Sequence, residues 1–289
     1  MKRLFAVLVF ACAAAQASDA IGVLTRVTGR VSILREGRTA ALPAKGYELL
    51  FAGDRLSTAA NSEAGFIFCA GAESGRILPL SEIRFDAGAV VLMEGKITDQ
   101  QKIAACRLPQ GLGLADASRQ QAGGLRLRGP RLVLKAPRST AVATSRPMFT
   151  WNALDGADDY QVTVLDREGR TVFETASASA ELSYPPSAPP LEWAQTYRWR
   201  VAARSRGVVV KEASAHFQVL FREQAEMISQ QAGEMRAVLS RQPRDATTRL
   251  LLAFLYDSNG MIDEAIEAYS PLSSVGWVKA RILQLKEGR

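Results

Sequence analysis

The chain offers few residues for chemistry. One histidine, His216, and three cysteines, Cys12, Cys69 and Cys106, stand among 289 residues. A single imidazole argues against the multi-histidine sites of zinc and non-haem iron proteins, and any histidine-based triad would have to use His216. No Cys-x-x-Cys pair occurs, which removes zinc ribbons and thioredoxin-type redox motifs. Phosphate-cradling glycine loops, a His-Glu-x-x-His helix and a Gly-x-Ser-x-Gly elbow are absent too. A glycosidase needs only two carboxylates, but here they are scattered over turns and helix surfaces. Asp54 sits in a turn after Gly53, where a carboxylate could ligate a cation. No second carboxylate lies close enough in sequence for a calcium loop, and a turn aspartate ordinarily accepts backbone N–H bonds. The expectation is a non-enzyme without cofactor or metal.

The elements that carry these residues begin with an export signal. Lys2 and Arg3 precede an apolar run, Leu4 to Ala15, that is too short to span a bilayer. Ala15-Gln16-Ala17 then offers the small-x-small pattern of a signal peptidase site. Residues 1–17 are read as a signal peptide cleaved after Ala17, with Ala20 as second choice. A membrane anchor and lipidation at Cys12 are the alternatives, although Phe10 is bulky where a lipidation motif has a small residue. No later stretch approaches the roughly 18 apolar residues of a spanning helix. The mature chain is therefore expected to be periplasmic or secreted, without a spanning segment, in a compartment that permits disulfides.

Hydrophobic residues make up 47% and charged residues 22%, the balance of a globular protein of two or three modules. The formal net charge is +7, and it is unevenly spread. Residues 18–106 carry ten basic and ten acidic side chains, whereas residues 107–138 carry seven and one. That stretch also holds Gly111, Gly113, Gly123, Gly124 and Gly129 and reads as a linker, with room for an edge strand at Leu125–Leu127 or Leu132–Leu134. Arg126, Arg128, Arg131 and Lys135 in it are candidates for contact with an anionic envelope polymer. Nucleic acid is not expected as a partner: no aromatic residue is interleaved to stack a base.

Residues 18–106 read as short strands. Val23, Thr25 and Val27 alternate with Leu24, Arg26 and Thr28, and glycines punctuate the rest at turn-like intervals. Gly29-Arg30-Val31, Gly46, the turn Gly53-Asp54-Arg55-Leu56-Ser57-Thr58, Ala64 and Phe66-Ile67-Phe68 together resemble the exported FecR-type domain, over about 80 residues. The resemblance implies an all-β module and a signalling regulator as one alternative role. Such regulators usually carry a cytoplasmic sigma-factor-binding segment and a spanning helix, neither of which is read here. Cys69 and Cys106 are the only cysteines left after signal removal, so they are expected to pair.

Residues 139–221 predict a β-sandwich. Tyr160, Val162 and Val164 alternate along one strand and Tyr197, Trp199, Val201 and Ala203 along another; Asp166-Arg167-Glu168-Gly169 signals a hairpin. Pro147-x3-Trp151, Ala157-x2-Tyr160-x-Val162 and Leu191-x5-Tyr197 are similar to fibronectin type III and other immunoglobulin-like domains, and Leu191 with Tyr197 has the spacing of a tyrosine corner. The alternation assigns the aromatic residues to the core and leaves His216 exposed.

Residues 222–289 predict helices. Phe221, Ala225, Ile228, Ala232, Met235 and Leu239 recur at three to four residues, and Asp245 suits the N-cap of a second helix. Leu252, Ala253, Tyr256, Gly260, Ala265 and Tyr269 fall at the spacings of one tetratricopeptide repeat, which this segment resembles. One repeat cannot bury its own face, so Met261, Ile262, Ile266, Trp277 and Val278 are expected to leave an uncovered apolar flank for a partner. The fold class expected is multidomain and mainly β with a C-terminal helical module. The function expected is an exported, non-catalytic interaction or scaffold protein with protein partners in the envelope. The alternatives are a FecR-like signalling regulator and a carbohydrate or peptidoglycan binder.

Overall fold

The computed structural model describes residues 19–103, 106, 108 and 131–288. The signal segment and Arg126 and Arg128 lie outside the described residues.

The N-terminal β domain packs two five-stranded sheets face to face. One has the order β10 (Ile97–Lys102), β7 (Glu73–Ile77), β6 (Glu63–Phe68), β1 (Gly22–Thr28), β4 (Leu49–Leu50). The other runs β3 (Leu42–Pro43), β2 (Val31–Leu34), β5 (Arg55–Thr58), β8 (Glu82–Phe85), β9 (Val90–Glu94). Period-two alternation sends Ile33, Leu56, Ile83 and Phe85 of the second sheet inward against Leu24, Phe66 and Phe68 of the first. The ring of Phe85 meets those of Phe66 and Phe68 at 5.6 and 6.1 Å. Leu24 and Arg26 of β1 face Phe66 and Gly65, which are adjacent in β6, so Thr25 is a bulged residue.

The central sandwich has a three-stranded sheet, β11 (Leu134–Ala136), β13 (Met148–Trp151), β16 (Glu181–Ser183). It packs on a five-stranded one of order β12 (Thr140–Val142), β18 (Val208–Val219), β17 (Thr196–Ser205), β14 (Asp159–Leu165), β15 (Thr171–Ser177). Only β12 and β18 pair in parallel. Two packed sheets, antiparallel but for that one pair, make an immunoglobulin or fibronectin type III-like sandwich. Trp151, Trp199, Phe149 and Phe217 are sealed in its core. The Tyr197 hydroxyl accepts the Glu192 N–H at 2.9 Å, completing the tyrosine corner.

This module starts earlier than its sequence pattern suggested. Leu132 and Leu134 point into the core while Arg131, Val133 and Lys135 point out, and β11 adds to the edge beside β13. The Asn152 side chain ties the strand down by donating to the Arg131 carbonyl at 2.8 Å. Residues 131–138 therefore belong to the sandwich and not to a linker; β11 overlaps the suggested edge strand Leu132–Leu134 at Leu134, and the other suggestion, Leu125–Leu127, lies outside the described residues.

The helices are α1 (Arg222–Arg241), α2 (Ala246–Ser258), α3 (Ile262–Tyr269) and α4 (Gly276–Glu287). Asp245 caps α2 by accepting the N–H groups of Thr247 and Thr248 at 3.0 and 3.2 Å. Gly260, at φ +69°, reverses the chain into α3. Ala253 and Ala265, both 0% exposed, let α2 and α3 approach. Phe221 does not join the buried stripe of α1: it precedes the helix and is exposed, leaving Ala225, Ile228 and Ala232 as the buried positions.

Candidate functional site

The expected uncovered flank is not there. Met261 and Val278 are buried at 4% and 0%, and Ile262, Ile266 and Trp277 are half-buried. The reason is that the helical core is not closed on itself. It is continuous with Val23 and Ile67 of the N-terminal domain, with Ala141 and Leu220 of the sandwich, and with Leu108. Two β modules cover the helices.

Both seams are hydrogen-bonded. The Trp277 indole N–H donates to the Tyr47 carbonyl at 2.8 Å, and the bulged Thr25 accepts from the Thr247 hydroxyl at 2.8 Å. Opposite, the Ala141 N–H donates to the Gly260 carbonyl at 2.8 Å and the Ile262 N–H to the Thr140 hydroxyl at 2.7 Å. The Cys69–Cys106 disulfide forms as expected, with its Cα atoms 5.0 Å apart. Both cysteines pack against the core cluster that the helices share with Val23, Ile67 and Leu108, so the bond lies at the first seam.

Each seam leaves a concavity. Between sandwich and helices lies a pocket of about 310 Å³, walled by Pro137, Val142 and Met148 on one side and Ile228, Ala232 and Met261 on the other. Its polar groups include Arg236 and Ser229 from α1, Tyr256 from α2, Asp263 and Glu264 from α3, and Thr144 of the sandwich. The Arg236 guanidinium donates to the Tyr256 hydroxyl and lies 5.7 Å from its ring centroid. One Glu264 carboxylate oxygen, Oε2, is buried with no hydrogen-bond partner. Burial pushes the Glu264 carboxyl above the ordinary range and Glu267 adds to this, against the pull of its own backbone N–H and of Arg236. An apolar chamber with an unsatisfied acceptor can hold a ligand that has an apolar body and an N–H or O–H donor.

Between the N-terminal domain and the corner joining α1 to α2 is a larger cleft of about 1150 Å³. Its floor is the outer face of β1, β6, β7 and β10, with Arg26, Arg76 and Gln101; its rim is Arg244 and Asp245. Gly65 keeps the floor low: a Cβ there would stand 2.7 Å from the Thr25 hydroxyl oxygen.

Of the remaining sequence candidates, Arg131 and Lys135 are exposed on the sandwich edge and line neither concavity. His216 is exposed on the outer face of β18. Asp54 is 1% exposed; it accepts the Phe51 N–H at 2.8 Å and pairs with Arg35, which also bonds Glu48 at 2.6 Å. It is a structural carboxylate, as its turn position implied. Arg236 and Glu264 went unnoticed in the sequence, and Tyr256 was read only as a packing residue of the helical pair, because nothing there sets α1 against α3. The one available signal was that Glu264 adjoins the small residue Ala265 on the packed side of its helix.

No family model and no curated protein matches the chain. Among solved structures it is similar to an Fn3-like protein from Clostridium thermocellum, at 24% identity over 32% of this chain and 88% of that one, with a TM-score of 0.22. It is similar to domains FN1–FN3 of chicken CNTN1, at 8% identity over 69% and 56% and a TM-score of 0.22. A β-glucuronidase from Ruminococcus gnavus matches at 14% identity and a TM-score of 0.21; the chain spans only 15% of its length. At these scores the assignment of the sandwich rests on its own strand order and tyrosine corner.

Proposed function

We propose that the chain is an exported, non-catalytic binding or scaffold protein of the cell envelope. In this reading the N-terminal β domain is of the FecR type and the α2–α3 hairpin is a single tetratricopeptide-like unit. The quoted glycine and turn residues support the first, and the Ala253, Gly260, Ala265 pattern supports the second. The observation that carries the reading is the continuous core from Val23 through the helices to Ala141. It makes one body of three modules and leaves two concavities, rather than a bare helix flank, as binding surfaces. The broad polar cleft suits an extended protein segment, and the exposed Arg131 and Lys135 remain candidates for an anionic polymer.

Intact mass and fractionation test export: the expected species starts at Ser18 in the envelope or medium, and a chain still beginning at Met1 in the cytoplasm overturns it. Affinity capture from native envelope tests binding. Arg26→Glu with Gln101→Trp, both exposed in the cleft, should lose the proteins that wild type retains; an unchanged set overturns the cleft as the interface.

A further inference from the structure

We propose that the N-terminal β domain carries a separate anion site, an arginine-lined recess that takes a compact oxyanion group, phosphate or carboxylate. The recess has a volume of about 450 Å³ and opens on the outer face of the sheet that contains β2, β5 and β8. Four arginines line it, Arg35, Arg38, Arg55 and Arg84, against two acids, Glu36 and Asp86. No lysine is among them.

Strand register creates the site. Arg55 of β5 stands directly opposite Arg84 of β8. Side chains opposite one another in an antiparallel pair are neighbours on the same face, and like charges there repel. The arrangement is tolerable only with counter-charge, and the protein supplies it to one partner alone. Arg84 is held by Asp86 through a two-pronged pair at 2.7 and 2.9 Å. Arg35 is consumed by Asp54, Glu48 and the Leu49 carbonyl. Arg55 makes no ion pair among the described residues, and neither does Arg38.

The turn after β2 delivers the second free cation. The Arg38 N–H donates to the Arg35 carbonyl at 3.0 Å, with Gly37 at φ +72°. Glu36 borders the recess over Gly53, where a Cβ would lie 2.6 Å from its carboxyl carbon, so Arg38 and Arg55 face one carboxylate that makes no ion pair among the described residues and the recess keeps a positive excess. Two exposed, unengaged guanidinium forks thus converge on one recess. Planar forks bind phosphate and carboxylate in bidentate fashion, which a lysine cannot reproduce. The site stands whether or not the chain is exported.

Calorimetric titration of the full chain with inorganic phosphate and with succinate tests this. Saturable binding of at least one ion is expected. It should weaken at least tenfold in Arg38→Gln/Arg55→Gln and nearly as much in Arg38→Lys/Arg55→Lys, which keeps the charge and loses the forks. The control Arg131→Gln/Lys135→Gln removes two exposed charges elsewhere and should bind as wild type. Vesicles of phosphatidylglycerol, compared with phosphatidylcholine, separate the sources: selective cosedimentation that the double variant loses puts the phosphate on a lipid headgroup, whereas phosphate binding without cosedimentation makes it free or polymer-borne. Absence of saturable binding of either ion, or an equal loss in the control, overturns the site.

Discussion

Arg35 and Asp54 show how much one buried carboxylate asks of its surroundings. Burial pushes the Asp54 carboxyl up, and the Phe51 N–H and Arg35 only partly offset that. Removing Arg35 would leave the charge buried and unpaired. Arg35→Ala should cost about 3 kcal/mol in denaturant unfolding of the N-terminal domain; a loss below about 0.5 kcal/mol would mean that water reaches Asp54 and the pair is peripheral. Glu264 makes a pH prediction of the same kind. Its folded pKa is raised, so the folded state holds a proton that the unfolded chain has released, and stability falls as pH rises through that window. Glu264→Gln should therefore raise the melting temperature at pH 7 and leave it unchanged below about pH 4. An unaltered melting temperature at both pH values would place the carboxylate in water.

At the level of elements, the disulfide does more than close a loop. It links residues 37 apart, and the loop-entropy model assigns such a bond about 3–4 kcal/mol. Because both cysteines pack against the core cluster that joins the β domain to the helices, reduction should loosen the helices together with the β domain and spare the sandwich. Hydrogen exchange on reduced and oxidised protein would show this; protection lost only within residues 19–103 would contradict it. These elements were unevenly legible in the sequence. Alternation exposed β14 and β17, and the Asp245 cap and Gly260 marked both ends of α2, because each signal is local. The first sandwich strand was obscured by its neighbours: Leu132 and Leu134 alternate as a strand should, but they follow a glycine-rich basic stretch that reads as linker. The helix flank misled for a different reason. Periodicity says that Trp277 and Ile266 need cover, and it is silent on what supplies it. Tyr47 and Val23 lie more than two hundred residues away, and no spacing rule reaches that far.

For the whole molecule, the seams decide what can be removed. An independent helical unit would allow residues 243–289 to be deleted without harm to the β modules. The seams predict otherwise: the deletion uncovers Val23 and Ile67, both 0% exposed, and should give a protein that binds hydrophobic dyes and aggregates. A soluble, cooperatively unfolding truncation would show that the seams are decorative. A milder probe is Trp277→Ala, which removes stacked contact with Phe254 at 6.3 Å and the bond to Tyr47. It should cost about 2 kcal/mol or more, seen as earlier loss of helical than of sheet signal on heating.

The bond from Trp277 to Tyr47 spans 230 positions of sequence, and that from Thr247 to Thr25 spans 222. Contacts of such separation close late, because the intervening chain must first be ordered or its loop entropy lost. During synthesis the N-terminal domain therefore emerges with an unfinished apolar wall, which stays open until helices more than two hundred residues later are made. That interval is a window for chaperone capture and for proteolysis. The wall closes only when Thr247 and Trp277 have been made and docked on Thr25 and Tyr47, so the helices complete a surface laid down more than two hundred residues earlier.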